Sequence, residues 1–134
     1  MKLPFGTITI TKKSKILLIE DDAFMSDLLT TALARVGFDV SNVKTGAEGV
    51  RLFGEWHPDL ILLDLILPDQ NGFDALRQIR RMPGGPEAPV IVLSNLTQDA
   101  QGEEATRLGA SDYLVKSNFS LDEIVAKVKS VLKM

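Results

Sequence analysis

Three short runs of the chain consist almost entirely of large aliphatic residues: KILLIE (Lys15 to Glu20), DLILLD (Asp59 to Asp64) and PVIVLS (Pro89 to Ser94). Runs that are this short and apolar on both faces are typical of parallel strands covered on both sides. Two more mixed segments, FDVSNV (Phe38 to Val43) and DYLVK (Asp112 to Lys116), favour edge strands. The hydrophobic pattern therefore predicts five strands.

A first helix is predicted between the first two strands, because apolar residues recur there at helical spacing. These residues are Phe24, Leu28, Ala32, Leu33 and Val36. Gly37 follows them and is a typical residue just beyond the end of a helix. Asp22 precedes them and is a typical N-cap, since its short side chain can accept a hydrogen bond from the first turn.

Four further helices are predicted from capping signals and stops. TGAE (Thr45 to Glu48) and SLDE (Ser120 to Glu123) are capping-box sequences, and each should begin a helix. Another helix should start around Asn71-Gly72 and end before Pro83. The remaining one should run from about Gln98 to Leu108, and its few apolar residues predict low local stability.

Strand and helix alternate five times, which predicts an α/β fold: a doubly wound parallel sheet with right-handed crossovers and helices on both faces. The length of 134 residues suits one ordinary domain. We place that domain at residues 15–134. Residues 1–14 form an N-terminal extension, and TITIT (Thr7 to Thr11) leaves two alternatives open: an extra strand or a mobile leader.

Composition narrows the classes of function. Hydrophobic residues make up 45% of the chain and charged residues 25%, as in ordinary globular proteins. The chain has no cysteine, which excludes disulfides and thiolate chemistry. Its apolar runs are too short to span a bilayer, and no secretory signal is visible, so we expect a cytoplasmic protein without a membrane partner. A net charge of -3 without a basic run argues against direct nucleic-acid binding by this domain.

Polar groups follow the predicted strands at their carboxyl ends, where open α/β sheets bind ligands. Glu20 and Asp21 follow the first strand, Asp64 ends the third, Ser94 the fourth and Lys116 the fifth. Carboxylates on one rim repel each other, and Mg²⁺ relieves such repulsion because it prefers oxygen ligands. Carboxylate, ammonium, hydroxyl and Mg²⁺ together suit phosphoryl transfer, in which a carboxylate can be the nucleophile.

Four segments together give the chain a specific resemblance: LLIEDD, LILLDLILPDQNG, VIVLSN and DYLVK. From about Lys15 to Lys133 the chain resembles the receiver domain of two-component response regulators. The resemblance implies a flavodoxin-like sheet in the order 2-1-3-4-5 with five helices. It also implies that Asp64 is the phospho-acceptor, and that Mg²⁺ is held by Glu20, Asp21, Asp64 and the backbone carbonyl of Ile66.

The same resemblance implies a switch rather than a turnover enzyme. Ser94 would be the switch hydroxyl, Lys116 the lysine that pairs with the phosphoryl group, and Tyr113 a switch aromatic that rotates inward. A histidine kinase or phosphotransfer protein would donate the phosphoryl group. The face of the fourth helix, fifth strand and fifth helix would then change partners, with a homodimer or a downstream protein as the partner expected there.

The sequence departs from the family at two positions. Ser117 follows Lys116 where the family usually has a proline after a cis peptide, so the sequence leaves the isomer of that bond open. Asn95 stands where a small residue is usual. With the apolar Ile66 it lines the expected site, and we expect both residues to tune the lifetime of the phosphoryl group.

Two alternative functions remain open. One is a pseudo-receiver that docks to proteins independently of phosphorylation; the complete set of Asp64, Ser94, Lys116 and the acidic pair argues against it. The other is a Mg²⁺-dependent phosphatase with an aspartyl nucleophile. Such enzymes usually need a second acid where this chain has Ile66, which argues against that alternative.

Overall fold

The computed structural model describes residues 13–134 of the chain, so TITIT and the open choice between strand and leader lie outside the described residues. Five strands and five helices alternate as predicted, and the strand ends differ by about one residue from the sequence-based bounds. The elements are β1 (Lys15–Ile19), α1 (Ala23–Arg35), β2 (Asp39–Val43), α2 (Gly46–Trp56), β3 (Leu60–Leu63), α3 (Gly72–Arg80), β4 (Val90–Ser94), α4 (Gln98–Arg107), β5 (Asp112–Val115) and α5 (Leu121–Val131).

All neighbouring strands are parallel, and their order is β2-β1-β3-β4-β5. The predicted sheet order and the flavodoxin-like class are therefore confirmed. Ile19, the last residue of β1, lies opposite Val43 of β2 on one side and Leu63 of β3 on the other. The residues that follow β1 and β3 are consequently neighbours at the carboxyl edge of the sheet.

The sheet separates two apolar layers, because successive strand residues point to opposite faces. In β3, Leu62 belongs to the layer shared with α1 and α5, whereas Leu63 belongs to the layer shared with α2, α3 and α4. All four residues of β3 are fully buried. Burial on both faces explains why the central strands are continuous aliphatic runs without alternating polar residues.

The residues with which helix α1 faces the core only partly overlap those that predicted the helix. Phe24 is 74% exposed and Val36 is 43% exposed, whereas Leu29, Leu33 and the polar Ser26 are buried. The spacing predicted the helix correctly but only partly predicted its buried face.

The predicted helix ends agree with the structure in most cases. Asp22 is the N-cap of α1 and accepts from the backbone amide of Met25 at 2.9 Å. The capping box of α5 is complete. At α2, Thr45 accepts from the amide of Glu48 at 3.1 Å, and the carboxylate of Glu48 accepts from the Thr45 hydroxyl at 3.1 Å. That second bond joins two side chains, so α2 carries a variant of the predicted box.

Helix α4 has the weak anchoring predicted for it, since Ala105 is its only fully buried residue. Within residues 13–134, no helix is both long enough and apolar enough to cross a membrane.

Candidate functional site

Three carboxylates meet at the carboxyl edge of the sheet, as the sequence predicted. Each of Glu20, Asp21 and Asp64 has a carboxylate oxygen within 4.8 Å of one from each of the others. Glu20 is 1% exposed and Asp64 is 7% exposed, whereas Asp21 faces solvent. The cluster arises because β1 and β3 are adjacent parallel strands, so the loops that follow them begin side by side.

Lys116 lies between the two buried carboxylates. Its ammonium donates to Oδ2 of Asp64 at 3.0 Å and to Oε1 of Glu20. The side chain starts at the end of β5, and it reaches past β4 to contact residues that follow β3 and β1. At most 9% of each of the three side chains is exposed, so the ion pairs are shielded from solvent.

The pKa values of this buried cluster reflect burial and pairing. The pKa of Glu20 is raised, mainly because burial disfavours its charge and despite the hydrogen bond from Lys116. Burial lowers the pKa of Lys116, but its hydrogen bonds to Glu20 and Asp64 outweigh that effect, and the net direction is upward. Lys116 is therefore charged at neutral pH, and its charge partly offsets the carboxylates.

Ser94 and Tyr113 lie on the β4–β5 side of the site. Ser94 is fully buried, and its hydroxyl oxygen accepts from the amide of Leu96 at 3.3 Å. The hydroxyl of Tyr113 donates to the carbonyl of Leu96 at 2.7 Å, and its ring is 6% exposed. Burial raises the pKa of Tyr113. The ring thus already occupies the inward position that we expected only after phosphorylation.

Ile66 lies two residues after Asp64 and Asn95 directly follows β4 at the same edge of the sheet, with Ile66 58% exposed and Asn95 also exposed. The amide of Ile66 donates to Oδ1 of Asp64 at 3.2 Å, so the second oxygen of that carboxylate is also held. Residues 13–134 contain no cis peptide bond, which settles the bond after Lys116 as trans. A short 3₁₀ turn, Lys116–Asn118, follows β5 at this point.

Sequence reasoning missed two residues that hold the acidic loop. The hydroxyl of Ser26 lies 2.7 Å from the carbonyl oxygen of Asp22 and 3.1 Å from that of Glu20, so its single proton is shared between two acceptors. The side-chain amide of Asn42 donates to the same Glu20 carbonyl at 3.1 Å. The sequence carried no clear signal for Ser26, because the apolar positions that predicted α1 do not place it on the core face and its burial appears only in the structure.

The donor set fits a hard divalent cation. Three carboxylates provide only oxygen ligands, and two of them are buried with a net negative charge that a single ammonium does not balance. Mg²⁺ commonly uses one or two carboxylates and keeps several waters, and the exposed Asp21 leaves the cluster open to solvent on one side.

Comparison with protein families gives one clear match. The family described as response regulator receiver domain matches residues 16–129. Among curated proteins, the chain is 37% identical over 119 residues to the DNA-binding dual master transcriptional regulator RpaA of Synechocystis. These 119 residues are 89% of this chain and 49% of RpaA. The chain thus spans about half the length of the curated relatives it matches.

Solved structures agree in fold. The receiver domain of the sensor histidine kinase PA1611 from Pseudomonas aeruginosa superposes with a TM-score of 0.82 at 28% identity, covering 92% of this chain and all of that one. That structure has a magnesium ion coordinated in its active-site cleft. A putative response regulator from Chloroflexus aurantiacus superposes with a TM-score of 0.84 at 26% identity, again over 92% of this chain and all of the other.

Proposed function

Because this chain belongs to the response regulator receiver domain family, we propose that it is a phosphorylation-controlled switch whose phospho-acceptor is Asp64. The observation that carries the proposal is the setting of Asp64. Its carboxylate follows a fully buried strand, and both oxygens are held, one by Lys116 and the other by the amide of Ile66. Fixed orientation favours phosphoryl transfer, which needs the attacking oxygen in line with the leaving group.

The donor we propose is the phosphohistidine of a histidine kinase or phosphotransfer protein. One oxygen of Asp64 forms the new P–O bond while the P–N bond of the phosphohistidine breaks. The imidazole leaves with the electron pair of that bond and takes up a proton from solvent. The product is an acyl phosphate on Asp64.

Glu20, Asp21, Asp64 and the carbonyl of Ile66 are the residues that would hold Mg²⁺. When bound, Mg²⁺ would neutralise charge on the carboxylates and on the phosphoryl oxygens. The carboxylate cluster of this chain and the magnesium ion in the cleft of the PA1611 receiver domain support this assignment. Lys116 remains next to Asp64 and is placed to pair with the added phosphoryl group.

The switch we propose runs from Ser94 and Tyr113 to α4. Both residues contact the backbone of Leu96, which lies just before α4, so a change at Ser94 would alter the anchoring of that helix. The weak core contact of α4 suits an element that moves. The α4–β5–α5 face would then bind a second copy or a downstream protein, and the domain would act as a cytoplasmic switch rather than a turnover enzyme.

We propose that this domain does not itself contact nucleic acid. The net charge of the chain, -3, supports that part of the proposal. RpaA is named as DNA-binding, and this chain spans 49% of RpaA. DNA binding by a longer protein that contains such a domain is compatible with the proposal.

The test is phosphorylation by a small donor, acetyl phosphate, with Mg²⁺. Intact-mass spectrometry should show one added phosphoryl group that hydroxylamine removes, as expected for an acyl phosphate. Asp64→Asn, which is nearly isosteric, should fold and remain unlabelled. Lys116→Ala should still accept the group but should show a weaker structural response. Labelling of Asp64→Asn with the parental yield would place the acceptor elsewhere and refute the proposal.

A further inference from the structure

The loop between β3 and α3 connects the phospho-acceptor to the next helix, and it is folded tightly on itself. Ile66 and Asn71 form an antiparallel bridge across the loop. The amide of Gly72 donates to the carbonyl of Leu65 at 2.8 Å. The near end of this loop carries two parts of the proposed site, the carboxylate of Asp64 and the backbone of Ile66.

The tip of the same loop, at Asp69, is attached to helix α2. Asp69 accepts from the first two backbone amides of α2, with its Oδ1 2.8 Å from the nitrogen of Gly46 and its Oδ2 3.0 Å from the nitrogen of Ala47. The hydrogen bond from Gly46 is the main reason that the pKa of Asp69 is lowered, so the side chain is ionised at neutral pH. An ionised carboxylate at a helix N-terminus makes strong, charge-assisted hydrogen bonds.

Neighbouring side chains fit closely around this attachment. A side chain on Gly46 would collide with the side chain of Gln70, since a Cβ on Gly46 would lie 2.6 Å from Nε2 of Gln70. That same nitrogen donates to Oδ2 of Asp69 at 3.2 Å. The amide oxygen of Gln70 accepts from Gln78 of α3 at 2.9 Å. The tip of the loop is thus connected to both α2 and α3.

A role limited to capping α2 explains these contacts incompletely. Helix α2 already has an N-cap in Thr45, whose hydroxyl oxygen accepts from the amide of Glu48 at 3.1 Å. Asp69 adds a link between the β3–α3 loop and α2, because it lies 23 residues after Gly46 and 22 residues after Ala47 in the sequence. Asp69 is only three positions after Ile66, so holding Asp69 restricts the directions in which the Ile66 carbonyl can point.

We propose that Asp69 is a positioning residue for the phosphoryl-transfer site. By fixing the tip of the β3–α3 loop to the N-terminus of α2, it holds the Ile66 carbonyl in the direction required for binding Mg²⁺. This inference rests on the proposed function, because it concerns the same site. Asp69 itself is outside the carboxylate cluster and acts through the loop backbone.

The experiment compares Asp69→Ala with a matched control, Thr45→Ala. Each variant removes a side chain that accepts from the first turn of α2, but only the first releases the loop. Mg²⁺ is titrated into each metal-free protein and followed by backbone amide NMR shifts and calorimetry. Asp69→Ala should weaken Mg²⁺ binding by about tenfold, as is usual when a residue that orients a metal ligand is removed. Thr45→Ala should bind as the parent does.

Two further readouts separate positioning from loss of stability. In the metal-free proteins, hydrogen exchange at the amides of Gly46 and Ala47 should accelerate in Asp69→Ala, which shows that the attachment has opened. With acetyl phosphate, the Mg²⁺ concentration for half-maximal rate should rise while the rate at saturating Mg²⁺ stays near that of the parent. Asp69→Asn keeps one acceptor oxygen and should give an intermediate Mg²⁺ affinity.

The possible outcomes distinguish the inference from the proposed function. If Asp69→Ala binds Mg²⁺ as tightly as a parent that binds and is phosphorylated, the inference is wrong and the proposed function stands. Equal weakening in Thr45→Ala also overturns the inference, since it would assign the effect to the stability of α2. A parent that neither binds Mg²⁺ nor accepts phosphate would refute the proposed function itself.

Discussion

Replacing Lys116 by methionine would test how the buried charge cluster affects stability. Methionine is unbranched and of similar length, so the change removes the ammonium with little loss of packing. Glu20 and Asp64 would remain buried without the cation that now contacts both. We expect the metal-free domain to lose stability at neutral pH.

The size of the loss follows from the observed geometry. Two unit charges separated by the 3.0 Å between Lys116 and Asp64 attract by about 5.5 kcal/mol at an effective dielectric constant of about 20. The variant no longer has to desolvate an ammonium, which offsets part of that attraction. Removing one partner of a buried ion pair typically costs about 3–5 kcal/mol, and we expect a loss in that range.

The loss should depend on pH and on Mg²⁺. The pKa of Glu20 is already raised in the parent, and without Lys116 it should rise further. At mildly acidic pH Glu20 then takes up a proton, so the destabilisation should shrink as the pH falls. Added Mg²⁺ should also restore part of the stability, because it would supply the missing positive charge.

The assay is urea unfolding followed by circular dichroism and by the fluorescence of Trp56, which packs against the core. Lys127→Met is the matched control. Lys127 lies at nearly the same distance, 3.1 Å, from Asp112, but 44% of its side chain is exposed. An exposed pair contributes about 0–1 kcal/mol. If Lys116→Met loses no more stability at neutral pH than Lys127→Met, the reasoning about burial is refuted.

Three further predictions concern the same region. The folded-state pKa of Glu20 is raised above 4.5, so the stabilising contribution of this carboxyl group is complete below pH 4.5 and is lost as the pH rises through the folded-state pKa. Glu20→Gln should therefore unfold at a higher urea concentration than the parent at neutral pH in EDTA. An equal or lower urea midpoint would contradict this prediction. Ile66→Asn and Asn95→Ala should change the rate of dephosphorylation, measured by loss of the phosphoryl mass, and unchanged rates in both would exclude a role for them. Gly72→Ala should destabilise the domain by about 1–3 kcal/mol, because its Cβ would lie 2.3 Å from a backbone oxygen at the end of β3; Gly102→Ala, in the interior of α4, is the control and should stabilise by about 0.5–1 kcal/mol.

The strands and helices were predictable because their signals are local, whereas the order of the strands in the sheet followed only from the resemblance to receiver domains. Aliphatic runs such as LILL in β3 and capping residues such as Asp22 and Ser120 depend on neighbours within a few positions, and the structure has the strands and helices that they predict. Side-chain burial was less predictable. Phe24 matches the helical spacing of α1 yet is exposed, because α1 contacts the sheet through Leu29 and Leu33.

The candidate site was predictable in membership but not in arrangement. Parallel strands place their carboxyl ends at one edge, so the sequence alone brought Glu20, Asp21 and Asp64 to the same rim. It gave no sign that Tyr113 already lies inward, or that Asp69 reaches α2. Those features depend on contacts between segments distant in sequence, for which neither periodicity nor a capping pattern provides a signal.

The sequence by itself determined the alternation of strands and helices, the apolar character of the central strands and the identity of the polar residues at their ends. Only the tertiary structure decided which carboxylates are buried, and that Lys116 spans from β5 to reach both of them. The physical reason is that local patterns depend on backbone geometry and neighbouring residues. Burial, distance and pKa depend on how separate strands pack into one sheet, which brings together residues as far apart in sequence as Glu20 and Lys116.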